Sequence, residues 1–268
     1  MQHIKVLLII IPLILIFISF QDDMKKSTVL FCYGKTNPIA VKDYKYVVLE
    51  SKHYNSNEVK ILRSQNDKVF AYISLGEINE SSIHFSDLKK QTIGKNDIWN
   101  SHYIDLRSKK ANTILIEMVD QIFAYGYDGL FLDNIDNFTI HGPQKDQADE
   151  LINLISAIKE KYPKKAFIQN AGLDLVERTS PYIDLIAIES IATDYSFKDK
   201  KCNLREKAMF EANLSRINTL SATYSIPLIL IEYADSKELA ALVKKRVEPT
   251  GYDFFIGTID LQTIPKFN

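Results

Sequence analysis

Short apolar runs recur along this chain, and most of them end in an acid or an amide. The clearest is Leu130-Phe131-Leu132, which runs without a break into Asp133. A continuous apolar run of this length reads as a strand covered on both faces, as in a parallel sheet. Similar runs occupy residues 46–50, 68–77, 99–105, 166–170, 183–189, 226–233 and 252–257. Between them, apolar residues fall at helical spacing. Ile114, Leu115, Met118, Val119, Ile122 and Phe123 precede the Asp133 run, and Leu151, Leu154, Ile155 and Ile158 follow it. Tyr162-Pro163 closes that second helix, and Ser236 is placed to cap a helix over 236–247.

Counted from Val47, these runs make eight strands alternating with helical or connecting segments. Residues 29–34 are an apolar lead-in before the first of them. Eight such alternations predict an α/β chain folded as a (β/α)8 TIM barrel, with residues 22–268 forming one domain. A doubly wound sheet is the rival. It commonly carries a glycine-rich phosphate turn, and this chain has 9 glycines and no G-x-G-x-x-G.

Ahead of the barrel, residues 1–21 have the pattern of an export signal. Lys5 is followed by an apolar run from Val6 to Phe20. That run is short against the ~20 residues of a spanning helix. An uncleaved membrane anchor through residues 4–20 is the alternative. Either way the barrel is expected to be exported, periplasmic or extracellular.

Composition narrows the chemistry. The 33 basic and 34 acidic residues leave a net charge of -1, so nothing steers the chain toward nucleic acid. The five histidines show no i, i+4 pair, and Cys32 and Cys202 form no metal-ligand pattern. No metal and no cofactor are expected. The cysteines read as buried thiols, with a disulfide as the alternative in an exported protein.

The acids are the candidates for chemistry. Glu50, Glu77, Asp105, Asp133, Glu189 and Glu232 all sit at or just past predicted strand C-termini, and Asn170 holds that place on the fifth strand. In a barrel those positions converge on one mouth. Any one of these acids could instead cap the next helix. Several carboxyls around one cleft suit glycoside cleavage, which needs one ionised carboxylate and one protonated carboxyl. Crowding of acids keeps one group protonated near neutrality. Asp128, before its strand, falls at the opposite end and reads as structural. Asp136 lies in the loop beyond Asp133, placed to orient substrate or to cap.

Residues 125–136, Tyr-Gly-Tyr-Asp-Gly-Leu-Phe-Leu-Asp-Asn-Ile-Asp, resemble the G-[FY]-D-G-x-F-L-D-x-x-D signature of glycoside hydrolase family 114. Residues 71–77, Ala-Tyr-Ile-Ser-Leu-Gly-Glu, are similar to the family's A-Y-[IL]-S-x-G-E segment, and 168–172 and 188–190 follow in matching order and spacing. The resemblance runs from about Val29 to the C-terminus. It implies a secreted (β/α)8 barrel of the endo-α-1,4-polygalactosaminidase type, with Asp133 as nucleophile and Glu189 as acid/base. The implied partner is a galactosamine-rich polysaccharide, whose cationic rings would suit an acidic cleft. Tyr33, Glu77, Asp105, Asp136, Asn170, Glu232 and Tyr233 are then expected to bind substrate. Glu232 departs from the family, whose members commonly have Asp before the Tyr; its extra methylene is expected to push the carboxylate further into the cleft. Two other readings stay open: a carbohydrate-binding barrel without catalysis, and a lyase or transglycosylase on the same fold. Retaining and inverting outcomes also stay open, since they differ in carboxyl separation, ~5 Å against roughly 6.5–9.5 Å.

Overall fold

The computed structural model describes residues 28–267. The export or anchor segment lies outside them, and no helix among the described residues is long and apolar enough to cross a membrane. Eight parallel strands pair in sequence order: β1 (Val29–Cys32), β2 (Tyr46–Glu50), β3 (Lys68–Ser74), β4 (Gly129–Asp133), β5 (Ala166–Asn170), β6 (Leu185–Glu189), β7 (Leu228–Tyr233) and β8 (Asp253–Gly257). β1 and β8 come together at the seam. The Tyr33 N–H donates to the Leu261 carbonyl at 2.7 Å, and the Thr28 hydroxyl donates to Asp253 at 2.7 Å. The result is a nearly closed (β/α)8 barrel in a single domain.

Helices α1 (Ser56–Gln65), α2 (Lys109–Ala124), α3 (Ala148–Lys161), α4 (Lys207–Tyr224) and α5 (Lys237–Val247) connect the strands. Ser236 caps α5 as its sequence position predicts, accepting from the Leu239 N–H. The lumen is filled, not hollow. Phe31 meets Phe131 and Phe255 edge to face at 5.2 and 5.5 Å, and β1 and β4 are not neighbours in the sheet, so these rings touch across the interior. Gly129 is required where β4 begins. A Cβ there would lie 2.0 Å from the Ala166 carbonyl and 2.7 Å from the Phe70 ring.

Two differences from the sequence expectation concern which strands are staves. The lead-in run is the first stave, fully buried along its length. The run at 99–105 is not a stave: Ser101–Ile104 is the middle strand of a small antiparallel sheet with Glu77–Asn79 and Thr92–Asn96, an excursion beyond the end of β3. A second excursion, the hairpin of Thr193–Ser196 and Lys201–Leu204, follows β6. One strand gained and one lost leave Asp133 on the fourth stave and Glu189 on the sixth. Cys32 and Cys202 are free, buried thiols.

Candidate active site

Asp133 ends β4, Asn170 ends β5 and Glu189 ends β6, so three adjacent staves deliver three polar groups to one rim. Asn170 is buried, and its side-chain nitrogen donates to Asp133 Oδ1 at 2.8 Å and to Glu189 Oε1 at 2.7 Å. Those two oxygens are therefore no further apart than the two bonds laid end to end, about 5.5 Å. The other oxygen of each carboxyl also has a donor. The Tyr72 hydroxyl donates to Asp133 Oδ2 at 2.7 Å, and the Tyr233 hydroxyl donates to Glu189 Oε2 at 2.5 Å. Each carboxyl is thus held at both oxygens.

Crowding by surrounding protein pushes the Glu189 pKa up. The bonds from Tyr233 and Asn170 oppose that push, and the charges of Asp133 and Asp136 add to it. Asp136, in the turn after β4, is raised by desolvation and then by Asp133; it belongs to the same acidic mouth. Tyr33 packs its ring 4.7 Å from Tyr72, and burial, then the charges of Asp133, Glu189 and Glu50, keep its hydroxyl protonated. Burial also raises Glu50, against the nearby Lys52. Among the described residues no cluster of His, Cys, Asp and Glu could hold a metal ion.

Three of the expected substrate contacts are placed elsewhere. Glu232 is fully buried and points away from the lumen. One of its oxygens accepts from the Ile191 and Ala192 N–H groups, the other from the Thr193 N–H and hydroxyl, all between 2.6 and 3.1 Å. Strand alternation explains this: successive side chains face opposite sides, so Glu232 and Tyr233 cannot both face the cleft. Glu77 is buried too, bonded by Asn96, Ser101 and Asn137. It ties the first excursion to the turn after β4. Asp105 follows an excursion strand instead of a stave, and its carboxylate is held by Arg107 at 2.8 Å. Asp128, at the far end of β4, accepts from Arg63 and from the Val69 N–H, as a structural residue should.

Tyr72 is the site residue the sequence reading passed over. It lies inside the A-Y-I-S-L-G-E segment, two positions before Ser74, whose register partner is Asp133. Its parity on the strand points it to the same side as the carboxyls.

Two concavities of the described surface lie away from this pair. One runs between residues 138–148 and 174–178, the other beside the C-terminal segment. Within the carboxyl pair Glu189 is exposed at the rim and Asp133 is half-buried.

A parallel barrel with two carboxyls facing each other at the C-terminal rim suits the cleavage of glycosidic bonds. Residues 21–264 match the profile of glycoside-hydrolase family GH114, and the chain belongs to that family. It is similar in fold to the glycoside hydrolase domain of PelA from Pseudomonas aeruginosa, with a TM-score of 0.78 and 24% identity, over 89% of this chain and 97% of that one. Ega3 of Aspergillus fumigatus, solved in complex with galactosamine, aligns with a TM-score of 0.67 and 14% identity, over 87% and 90% of the two chains. An uncharacterised Thermotoga maritima protein is 23% identical over 209 residues, 66% of this chain and 65% of that protein's length.

Proposed function

We propose that this glycoside hydrolase is an exported, endo-acting enzyme that cuts galactosamine-rich polysaccharide with retention of configuration. The observation that carries the reading is the Asn170 bridge, which keeps one oxygen of each carboxyl no more than about 5.5 Å from the other, short of the roughly 6.5–9.5 Å typical of inverting enzymes. Asp133 attacks the anomeric carbon and forms a glycosyl ester. Glu189, whose pKa is raised by desolvation by the surrounding protein and by the neighbouring charges, gives its proton to the departing oxygen. It then takes a proton from the water that hydrolyses the ester.

The acids of the mouth suit cationic, de-N-acetylated rings, and Ega3, a fold relative, was solved with galactosamine. Export rests on the apolar stretch within residues 1–21, and cell fractionation tests it.

The decisive experiment digests galactosamine-rich polymer with the wild type, Asp133→Asn and Glu189→Gln, following oligosaccharide release and the anomer first formed. Each variant should lose about a thousandfold or more in kcat, and the wild type should release the retained anomer. Wild-type-like turnover by Asp133→Asn, or an inverted product, rejects the mechanism.

A further inference from the structure

The two excursions meet at their tips. The first turns at Asp97-Ile98-Trp99-Asn100 and the second at Phe197-Lys198-Asp199-Lys200. Trp99 is 52% exposed and Phe197 54% exposed. Their rings meet edge to face, 6.1 Å between centroids and 79° between planes. Tyr195 packs against Phe197 in turn, at 5.0 Å and 88°.

The excursions leave the rim from β3 and β6, with β4 and β5 between them, and those intervening staves carry Asp133 and Asn170. The aromatic contact therefore bridges the side of the mouth where the carboxyl pair sits. Leaving large rings half in water forgoes burial worth about 25 cal/mol per Å². An exposed aromatic patch beside an open cleft marks a surface that something else covers.

We propose that Trp99, Phe197 and Tyr195 form an aromatic subsite that holds sugar rings of the polysaccharide beyond the point of cleavage. This rests on the polysaccharide reading above. A pyranose ring presents its axial C–H bonds on one face, and that apolar face lies flat on an aromatic ring; indole offers the broadest such surface. Phe197 stands near a right angle to both Trp99 and Tyr195, so the platform offers faces in more than one direction to a chain that twists from sugar to sugar. Asp97 and Asp199 balance Lys198 and Lys200 around the tips. The platform therefore grips by apolar contact, in contrast to the acidic floor of the mouth.

Trp99 is the one tryptophan of the sequence, so tryptophan emission reports this subsite alone. Full-length Asp133→Asn, which holds polymer uncut, is titrated with galactosamine-rich polymer and separately with galactosamine. Polymer should shift or quench the emission, and the monosaccharide should not. In the otherwise wild-type enzyme, Trp99→Leu and Phe197→Leu should each raise KM for polymer roughly tenfold with little change in kcat. The loss should shrink as the substrate shortens, and Trp99→Phe should recover part of it. If the rings only tie the excursions together, the variants lose melting temperature while KM stays put, and the proposal falls. Emission that ignores polymer which the wild type cleaves also overturns it. Emission that responds to a polymer the wild type never cleaves rejects the hydrolase mechanism and leaves the subsite standing.

Discussion

One amide organises the cleft at the scale of single residues. Asn170 uses a single nitrogen to hold two acids that would otherwise repel, and each acid takes its second bond from a tyrosine. That arrangement has a testable pH consequence. The bond from the Tyr233 hydroxyl favours the ionised form of Glu189, so it pulls down a pKa that desolvation by the surrounding protein has raised. Tyr233→Phe removes the pull and should raise the Glu189 pKa further. A general acid works only while protonated, so the alkaline limb of the kcat/KM profile should move to higher pH. A limb that stays in place or moves down contradicts the assignment of Glu189 as the acid. The acids were legible in the sequence because they end apolar runs. The sequence expectation misreads the orientation of Glu232: it puts both Glu232 and Tyr233 in the cleft, which period-2 alternation forbids. What no spacing rule reveals is the Asn170 bridge, because it depends on how closely three staves approach.

At the scale of elements, the exits from the staves do the positioning. The residues directly after Asp133, Asn170 and Glu189 are Asn134, Ala171 and Ser190, and all three are left-handed, with φ of 59°, 54° and 58°. Each bend turns the chain away sharply and leaves the functional side chain at the rim. Such backbone costs of order 1 kcal/mol or more per non-glycine residue, and tertiary bonds offset it. The clearest offset is Glu232, whose four donors come from the segment just past Ser190. Glu232→Gln would turn an amide nitrogen toward two of those donors, costing roughly 2 kcal/mol or more of stability and loosening the support of Glu189. Burial pushes the Glu232 pKa up to about 7, against the pull of its four donors. With the folded pKa above the ordinary 4.5, its stabilising contribution is complete below that value and is lost as pH rises through about 7. Thermal unfolding across pH 4–8 should show that decline in the wild type and not in Glu232→Gln; parallel curves would refute it. The exchange of one stave for another also belongs to this scale. Val29–Cys32 is apolar throughout, as a stave covered on both faces must be. Ser101–Ile104 holds a polar pair, His102-Tyr103, and is buried only at its two ends. Counting apolar runs without weighing that composition admits the wrong strand.

Across the whole molecule, the barrel divides its labour between two ends, and β4 offers a direct comparison. Asp128 and Asp133 are the same residue type five positions apart, about 16 Å along an extended strand. At the far end, Asp128 binds Arg63 at 2.8 Å and the Val69 N–H at 3.0 Å, joining α1 to the start of β3. At the rim, Asp133 accepts from Tyr72 and Asn170 beside another acid. Barrels of this kind place chemistry at the C-terminal end of the strands and stability at the other. Asp128→Asn should therefore cost about 1–2 kcal/mol, because a charge-assisted bond to Arg63 is lost, with kcat/KM within about twofold of wild type below the melting transition. Asp133→Asn relieves repulsion against Glu189 and Asp136, whose pKa values its charge helps to raise. Its stability should hold or rise while turnover disappears. Denaturant midpoints and kcat/KM measured on the two variants together separate the effects. If Asp128→Asn lost activity in proportion to Asp133→Asn at full folding, the two ends would be coupled, and a cleft built on a passive scaffold would be the wrong description of this barrel.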